Sequence, residues 1–269
     1  MPDYSDSFAF NKAQWDERVP IHTASEFYDV PGFLKSPDRL RPFEVAEVGD
    51  VRGKTLAHLQ CHFGQDTLSW ATRGARVTGL DFSEAAVEAA RDISTQLGYE
   101  AEFVAANVYD ALAALGGRQF DIVYTGLGAL NWLPDIEGWS KVVAALVKPG
   151  GFLYLSEFHP MHQTLGDDDL TVMHDYFHDE PMVWDEPGTY AELGAATKHN
   201  VSHEWTHGLG VVVSNLLAQG LRLEFLHEFD YTLYPRWPFL EKTPEGTYHM
   251  PAGKPHIPLM YSLKAAKPA

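Results

Sequence analysis

Between Thr55 and Glu157, short apolar runs alternate with segments of helical periodicity, and this rhythm most constrains the fold. Thr55–Leu59, Arg76–Leu80, Glu102–Ala105, Phe120–Tyr124 and Phe152–Glu157 read as strands. Runs this apolar need cover on both faces, which is the signature of βαβ units and a mainly parallel sheet. The intervening helices carry their own signals. Thr67–Thr72 is apolar-periodic. Ser83 stands where an N-cap belongs, Glu84 suits the first turn, and Gly98 stops that helix after Leu97. Gly138–Val147 is a further helix, ended by Lys148-Pro149-Gly150-Gly151.

The flanks are less regular. In residues 1–50, Asn11–Arg18 reads as a short helix with Trp15 as its one large apolar residue. Pro20, Pro31-Gly32, Pro37 and Pro42 then punctuate a loop-rich, aromatic stretch before a short helix at Arg41–Val48. Residues 160–206 break the rhythm with an acidic tract (Asp167–Asp169) and extended-looking segments around Tyr176 and His203, and suit an insertion over the ligand edge of the sheet. A helix at Leu209–Gln219, a strand at Leu221–Tyr231, a Pro/Gly-rich loop to Pro255 and a last strand at Ile257–Ala265 follow. The last two strands, joined without a helix, suit an antiparallel edge. The expected architecture is one domain: a cap over 1–50, a core over 51–159, an insertion over 160–206 and the rest of the core over 207–269.

Composition narrows the partners. With 37 acidic against 20 basic residues the formal net charge is −17, which speaks against nucleic acid or an anionic membrane as partner. One cysteine excludes an internal disulfide framework. The N-terminus is acidic where a signal peptide is basic and then apolar, and no run of 18 apolar residues occurs. A cytoplasmic, membrane-free protein is the expectation, as a monomer or a homodimer.

The chemistry-bearing segment is the strand–turn–helix from Leu56 to Trp70, followed by a strand ending at Asp81, 17 residues after Gly64. In dinucleotide-type folds a tight turn at the carboxyl end of the first strand lets backbone approach a nucleoside, and an acid about 20 residues on accepts the ribose hydroxyls. The glycine pattern here is thin, and Asp81 reads equally as a solvated strand-end cap. Five blocks, LAHLQCHFGQDTLSWA, GARVTGLDFSEAAVEAAR, FVAANVYDA, FDIVYTGLGALNWLPD and LVKPGGFLYLSEFHP, together resemble the class I S-adenosylmethionine-dependent methyltransferases, of a small-molecule-type bacterial branch.

That resemblance implies a Rossmann-like sheet of seven strands, mostly parallel with the last antiparallel, and S-adenosylmethionine as cofactor. It implies a loop of Gln60, Cys61, His62 and Gly64 beneath the methionine and ribose, with Gln60 where an acid often anchors the loop and His62 in place of a glycine. Asp81 would hold the ribose, Phe82 would pack on adenine, Asn107 would accept from the adenine amino group, and the Val108 backbone would serve a ring nitrogen. Tyr124 and Thr125 would face the methionine end. Trp15 and Tyr28 are candidate covers for the sulfonium, which aromatic faces attract, and Arg18 a candidate partner for the methionine carboxylate.

Methyl transfer needs alignment and, for some acceptors, a base. His159, directly after the fifth strand, is the first candidate and His207, before a helix, the second. Tyr176, His178, Trp184 and Trp205 are candidate substrate walls, and Glu157 sits beside the ligand or orients a histidine. HEWTH (203–207) matches the string of a zinc-hydrolase motif, but that motif needs a helix and this stretch reads as extended. No metal is expected. The reading is transfer of a methyl group to nitrogen or oxygen of a small organic molecule. The alternatives are another S-adenosylmethionine chemistry, such as cyclisation or transfer of a different group, and a non-enzymatic binding module.

Overall fold

A computed structural model describes residues 3–269. In chain order the helices are α1 (Ser5–Ala24), α2 (Val30–Lys35), α3 (Pro42–Val48), α4 (Gln65–Thr72), α5 (Glu84–Leu97), α6 (Ala111–Ala114), α7 (Ile136–Leu146), α8 (Pro160–Gln163) and α9 (Leu209–Ala218). The strands are β1 (Thr55–Leu59), β2 (Arg76–Asp81), β3 (Glu102–Ala105), β4 (Phe120–Thr125), β5 (Val147–Phe158), β6 (Met182–Asp185), β7 (Val201–Glu204), β8 (Arg222–Phe229), β9 (Tyr231–Thr232), β10 (Glu241–Lys242), β11 (Tyr248–His249) and β12 (Met260–Ala266).

The main sheet has the order β3-β2-β1-β4-β5-β12-β8, parallel except where β12 runs antiparallel to both β5 and β8. The order reverses between β1 and β4, and a crevice opens there at the carboxyl ends of the strands. Alternation along β5 shows why both faces are covered. Leu153 and Leu155 pack under α7 and α9 with Trp139 and Val212, while Phe152 and Tyr154 join Trp70 and Tyr124 on the other face. Ser83 caps α5 by accepting from the Ala86 N–H at 3.0 Å, and Gly98 ends it in the left-handed region. Gly79 is required by close approach: a Cβ there would lie 2.6 Å from the Phe103 ring.

Several expectations need correction. The first helix is not short: α1 runs 20 residues and carries Pro20 inside it. The stretch around Pro31 is helical, because the Asp29 side chain accepts from the Gly32 N–H at 3.0 Å and Pro31 suits a first turn. β5 extends back through Lys148–Gly151. The last two strands do form that edge of the sheet, with β12 between β5 and β8 and antiparallel to both, and β8 outermost. Burial follows: Met260–Leu263 are all buried, whereas β8 is at best partly buried throughout. In the insertion the extended pair is the hairpin β6–β7, not the region of Tyr176, and the loop before Pro255 holds a small sheet of β9, β10 and β11. No helix among the described residues is long and apolar enough to cross a membrane.

Candidate active site

A cavity of about 1370 Å³ lies over the carboxyl ends of the strands, roofed by α1 and the β6–β7 hairpin. Its floor begins at the loop after β1. Gln60, His62 and Gly64 have φ of 58°, 52° and 78°. Alternate residues in the left-handed region suit glycine, so two of three stand in a conformation costly for a side chain. Gln60 therefore occupies a glycine-type position, not the anchoring position of an acid. Its Nε2 instead donates to the Ala129 carbonyl at 2.8 Å, tying this loop to the one after β4, and its Oε1 is buried without a partner.

Asp81 ends β2 beside that loop. Its Oδ2 accepts from the His62 N–H at 2.7 Å and its Oδ1 from the Ser83 N–H at 3.0 Å, so each oxygen keeps a lone pair. Burial pushes the carboxyl up to about 6, against the pull of those backbone donors. Phe82, Asn107 and Val108 line the same end of the cavity, and the Asn107 side-chain oxygen already accepts from the Tyr109 N–H at 3.1 Å. His62 forms the core of an aromatic group. Trp15, Tyr28 and Phe63 stand around it with ring centroids 5.1, 5.4 and 4.1 Å away, and Trp15 also meets Trp132 at 5.3 Å. Burial and the nearby His22 keep the His62 imidazole neutral, and its Nε2 is unpartnered.

Glu157 lines the cavity but orients no histidine. Its oxygens accept from the N–H groups of Gly128, Ala129, Leu130 and Phe158 at 2.6–2.8 Å, which clamps the loop after β4. Arg18 lines the cavity but is already engaged: it donates to the carbonyls of His199 at 2.8 Å and Gly188 at 2.9 Å, bolting α1 to the insertion. His207 and Trp205 also line the cavity. The His207 Nε2 donates to the Leu133 carbonyl at 2.6 Å, and burial holds the ring below its ordinary value.

Seven expected residues do not line the cavity. Cys61 is buried with its Sγ toward the His62 carbonyl, and Gly64 caps α4. The Tyr124 hydroxyl donates to Glu44 at 2.7 Å, away from the crevice. His159 caps α8 and lies 3.0 Å from Glu228. The Tyr176 hydroxyl accepts from the Leu209 N–H, and His178 is exposed beside the Glu180 carbonyl. Thr125 is likewise buried off the cavity, its hydroxyl without a partner. His203 sits on strand β7 and bonds Ser7, so HEWTH does not present its two histidines on one helix face.

The sequence reading passed over several cavity residues: Arg39, Arg41, Gln65, Asp66, Asn131, His162, Tyr190 and Tyr234. Asp66 is buried and its carboxyl is pushed up by burial, opposed by Arg41 and Arg39. Its position in the first turn of α4, two residues after Gly64, was the available signal.

Residues 57–153 match a methyltransferase-domain family model. Over these residues the chain resembles the class I S-adenosylmethionine-dependent methyltransferases. Among the curated proteins that the chain resembles is a ubiquinone biosynthesis O-methyltransferase of Salmonella arizonae, 33% identical over 137 residues. That match takes in 49% of the chain and 56% of the relative, so the chain spans little more than half of that protein. Solved structures share the fold. An S-adenosylmethionine-dependent methyltransferase from Mesorhizobium loti superposes with a TM-score of 0.57 at 21% identity, covering 84% of this chain and 96% of its own. Another from Clostridium acetobutylicum gives 0.57 at 13% identity over 97% and 100%. A glycopeptide N-methyltransferase solved with S-adenosylmethionine gives 0.52 at 17% identity over 84% and 92%.

Proposed function

We propose that this chain is an enzyme that takes a methyl group from S-adenosylmethionine and places it on nitrogen or oxygen of a small organic molecule. The observation that carries this reading is Asp81, buried at the end of β2 with one lone pair left on each oxygen, directly beside a left-handed loop. A vicinal diol has two donors to offer such a pair. The donor set fits the rest of the cofactor as well. Phe82, Asn107 and Val108 suit an adenine, and the unpartnered Gln60 Oε1 and His62 Nε2 await polar contacts. Asp66 and Arg41, opposite in charge, match the ammonium and carboxylate of the amino-acid end in place of the engaged Arg18.

When bound, the cofactor supplies an electrophilic methyl on a sulfonium. The chain's own part is to hold the acceptor in line and exclude water, with Trp15 and Trp132 closing over the methionine end. His207, neutral and aligned by the Leu133 carbonyl, is the base in this reading for an acceptor that must lose a proton. The size of the cavity supports cofactor and small acceptor together.

Calorimetric titration with S-adenosylhomocysteine is the first test, and saturable binding at one site is expected. Turnover with an acceptor panel is then followed by nucleoside product. S-Adenosylhomocysteine supports methyl transfer, whereas methylthioadenosine would show the other S-adenosylmethionine chemistry. Absence of binding by either nucleoside would remove the cofactor reading altogether.

A further inference from the structure

The β6–β7 hairpin turns one face to the cavity. Side chains of a strand alternate between faces, and Met182, Trp184, Ser202 and Glu204 line the cavity, together with Glu186 and Asn200 just beyond the strands. Val183 and His203 point the other way: Val183 is exposed, and His203 bonds Ser7 on α1. The inward face is thus aromatic and apolar in part, carries two carboxylates, and has no basic side chain.

Three other carboxylates that line the cavity have their charge answered. Asp81 and Glu157 are held by backbone N–H groups, and Asp167 pairs with Arg236 at 2.6 Å. Glu204 differs. Its side-chain bond is to Asn131, whose Nδ2 donates at 2.9 Å, and no cation bonds it among the described residues. Burial and then the like charge of Glu186 push its carboxyl up, against the pull of the neutral donors Asn131 and Ser202. Asn131 adds a second clue. With its amide nitrogen turned to Glu204, its Oδ1 is buried with no donor. Two acceptors side by side, one charged, lack a donor that is both cationic and rich in N–H. Burial of an unanswered charge and an unmade hydrogen bond is expensive.

The location fits an acceptor rather than the cofactor. Asn131 follows β4 in the loop clamped by Glu157, and the next residue, Trp132, touches Trp15 beside His62. The Trp205 N–H donates to the Asn131 carbonyl at 2.8 Å, which fixes the hairpin against this loop. Asp81 and Glu204 thus line one cavity from different elements, the end of β2 and the hairpin.

We infer that Glu204 and Asn131 receive the ammonium of a cationic amine, so the acceptor class is a small amine with an apolar or aromatic body lying along Trp184 and Trp205. This rests on the methyltransferase reading only for the word acceptor; the amine site stands on the hairpin alone. The formal net charge of −17 draws such a ligand and repels carboxylates.

The test uses three ligands of one shape: tyramine, the neutral alcohol tyrosol, and 3-(4-hydroxyphenyl)propanoate. Each is titrated calorimetrically into the full chain, with and without S-adenosylhomocysteine. Tyramine is expected to bind at least 10-fold more tightly than the other two, consistent with a charge-assisted hydrogen bond. Glu204→Gln, which keeps the contact to Asn131, is expected to erase that preference while tyrosol affinity moves less than 2-fold. Equal binding of tyramine and tyrosol, preference for the propanoate, binding by none, or an unchanged preference in Glu204→Gln overturns the proposal. Because the wild-type comparison decides by itself, it holds even if the variant fails to fold. Failure of the nucleoside to bind while the amine preference persists would overturn the cofactor reading instead.

Discussion

The floor and the roof of the cavity are held by different chemistry. In the floor, Leu56, Leu59, Leu80, Val123 and Leu153 are fully buried among other apolar side chains. In the roof, the buried face of α1 is polar apart from Val19. Ser7, Asn11, Gln14, Arg18 and His22 recur at helical spacing, and each bonds the insertion: Ser7 and Asn11 meet His203, Gln14 meets Asn200, Arg18 meets His199 and Gly188, and His22 meets Thr189. Apolar burial stabilises by about 25 cal/mol per Å², whereas a hydrogen bond contributes a net of about 1 kcal/mol because water competes for it. A roof of this kind opens at lower cost than the floor unfolds, as a site that must admit and release ligands requires.

The largest expected effect lies in the floor. Asp81→Ala should weaken S-adenosylhomocysteine binding on the order of 100-fold by calorimetry, the loss of two hydrogen bonds to a charged acceptor. Unchanged affinity would remove Asp81 from the ribose.

Arg18→Leu comes next and addresses the roof. The loss of the guanidinium leaves the buried carbonyl of Gly188 unsatisfied and frees the part-buried one of His199, at a cost of about 2 kcal/mol. Hydrogen exchange should quicken over 186–204 while the amides of β4 and β5 keep their protection. If those strands exchange faster by the same factor, roof and floor are a single cooperative unit and the contrast fails.

The contrast also explains what was legible in the sequence. The floor announces itself, since short apolar runs and caps such as Ser83 give strand and helix by period alone. The roof does not. A helix whose inner face is Asn11, Gln14 and Arg18 looks solvated, so only part of α1 was readable and Arg18 seemed free for a carboxylate. In the site, Asp81 was visible from spacing. The role of Gln60 was not, because a left-handed φ leaves no mark when the residue is not glycine. His159 was misplaced for a simpler reason. Proximity to a strand end does not say which way a side chain turns, and this one turns to Glu228.

One charge breaks the apolar rule of the floor and gives a smaller effect, of about 1–2 kcal/mol. Glu44 is buried beneath the sheet against Tyr124, and burial followed by repulsion from Asp66 raises its carboxyl to about 7. An unfolded glutamate titrates near its ordinary value, so between there and pH 7 the folded chain holds more protons than the unfolded one. Stability from this group therefore falls as pH rises through that window and stays low above it. Glu44→Gln should flatten the profile in urea titrations from pH 5 to 8 and be more stable than the wild type at pH 8. A parent protein equally stable at both ends would show that Glu44 is not desolvated.

The smallest effect concerns the seam where floor meets roof. Gln60 holds a left-handed backbone and compensates by donating to the Ala129 carbonyl. Gln60→Ala keeps the strain and loses the bond, whereas Gln60→Gly loses the bond and relieves the strain, partly offset by the greater freedom of glycine when unfolded. The glycine variant should therefore be more stable than the alanine variant by about 1 kcal/mol, the left-handed penalty of a residue with a Cβ, even though glycine ordinarily costs stability. Chemical denaturation of the pair measures this directly. An alanine variant as stable as the glycine one would mean that the loop relaxes out of the left-handed region, and the bond to Ala129, rather than the backbone of the floor, would then be what shapes the turn beneath the ligand.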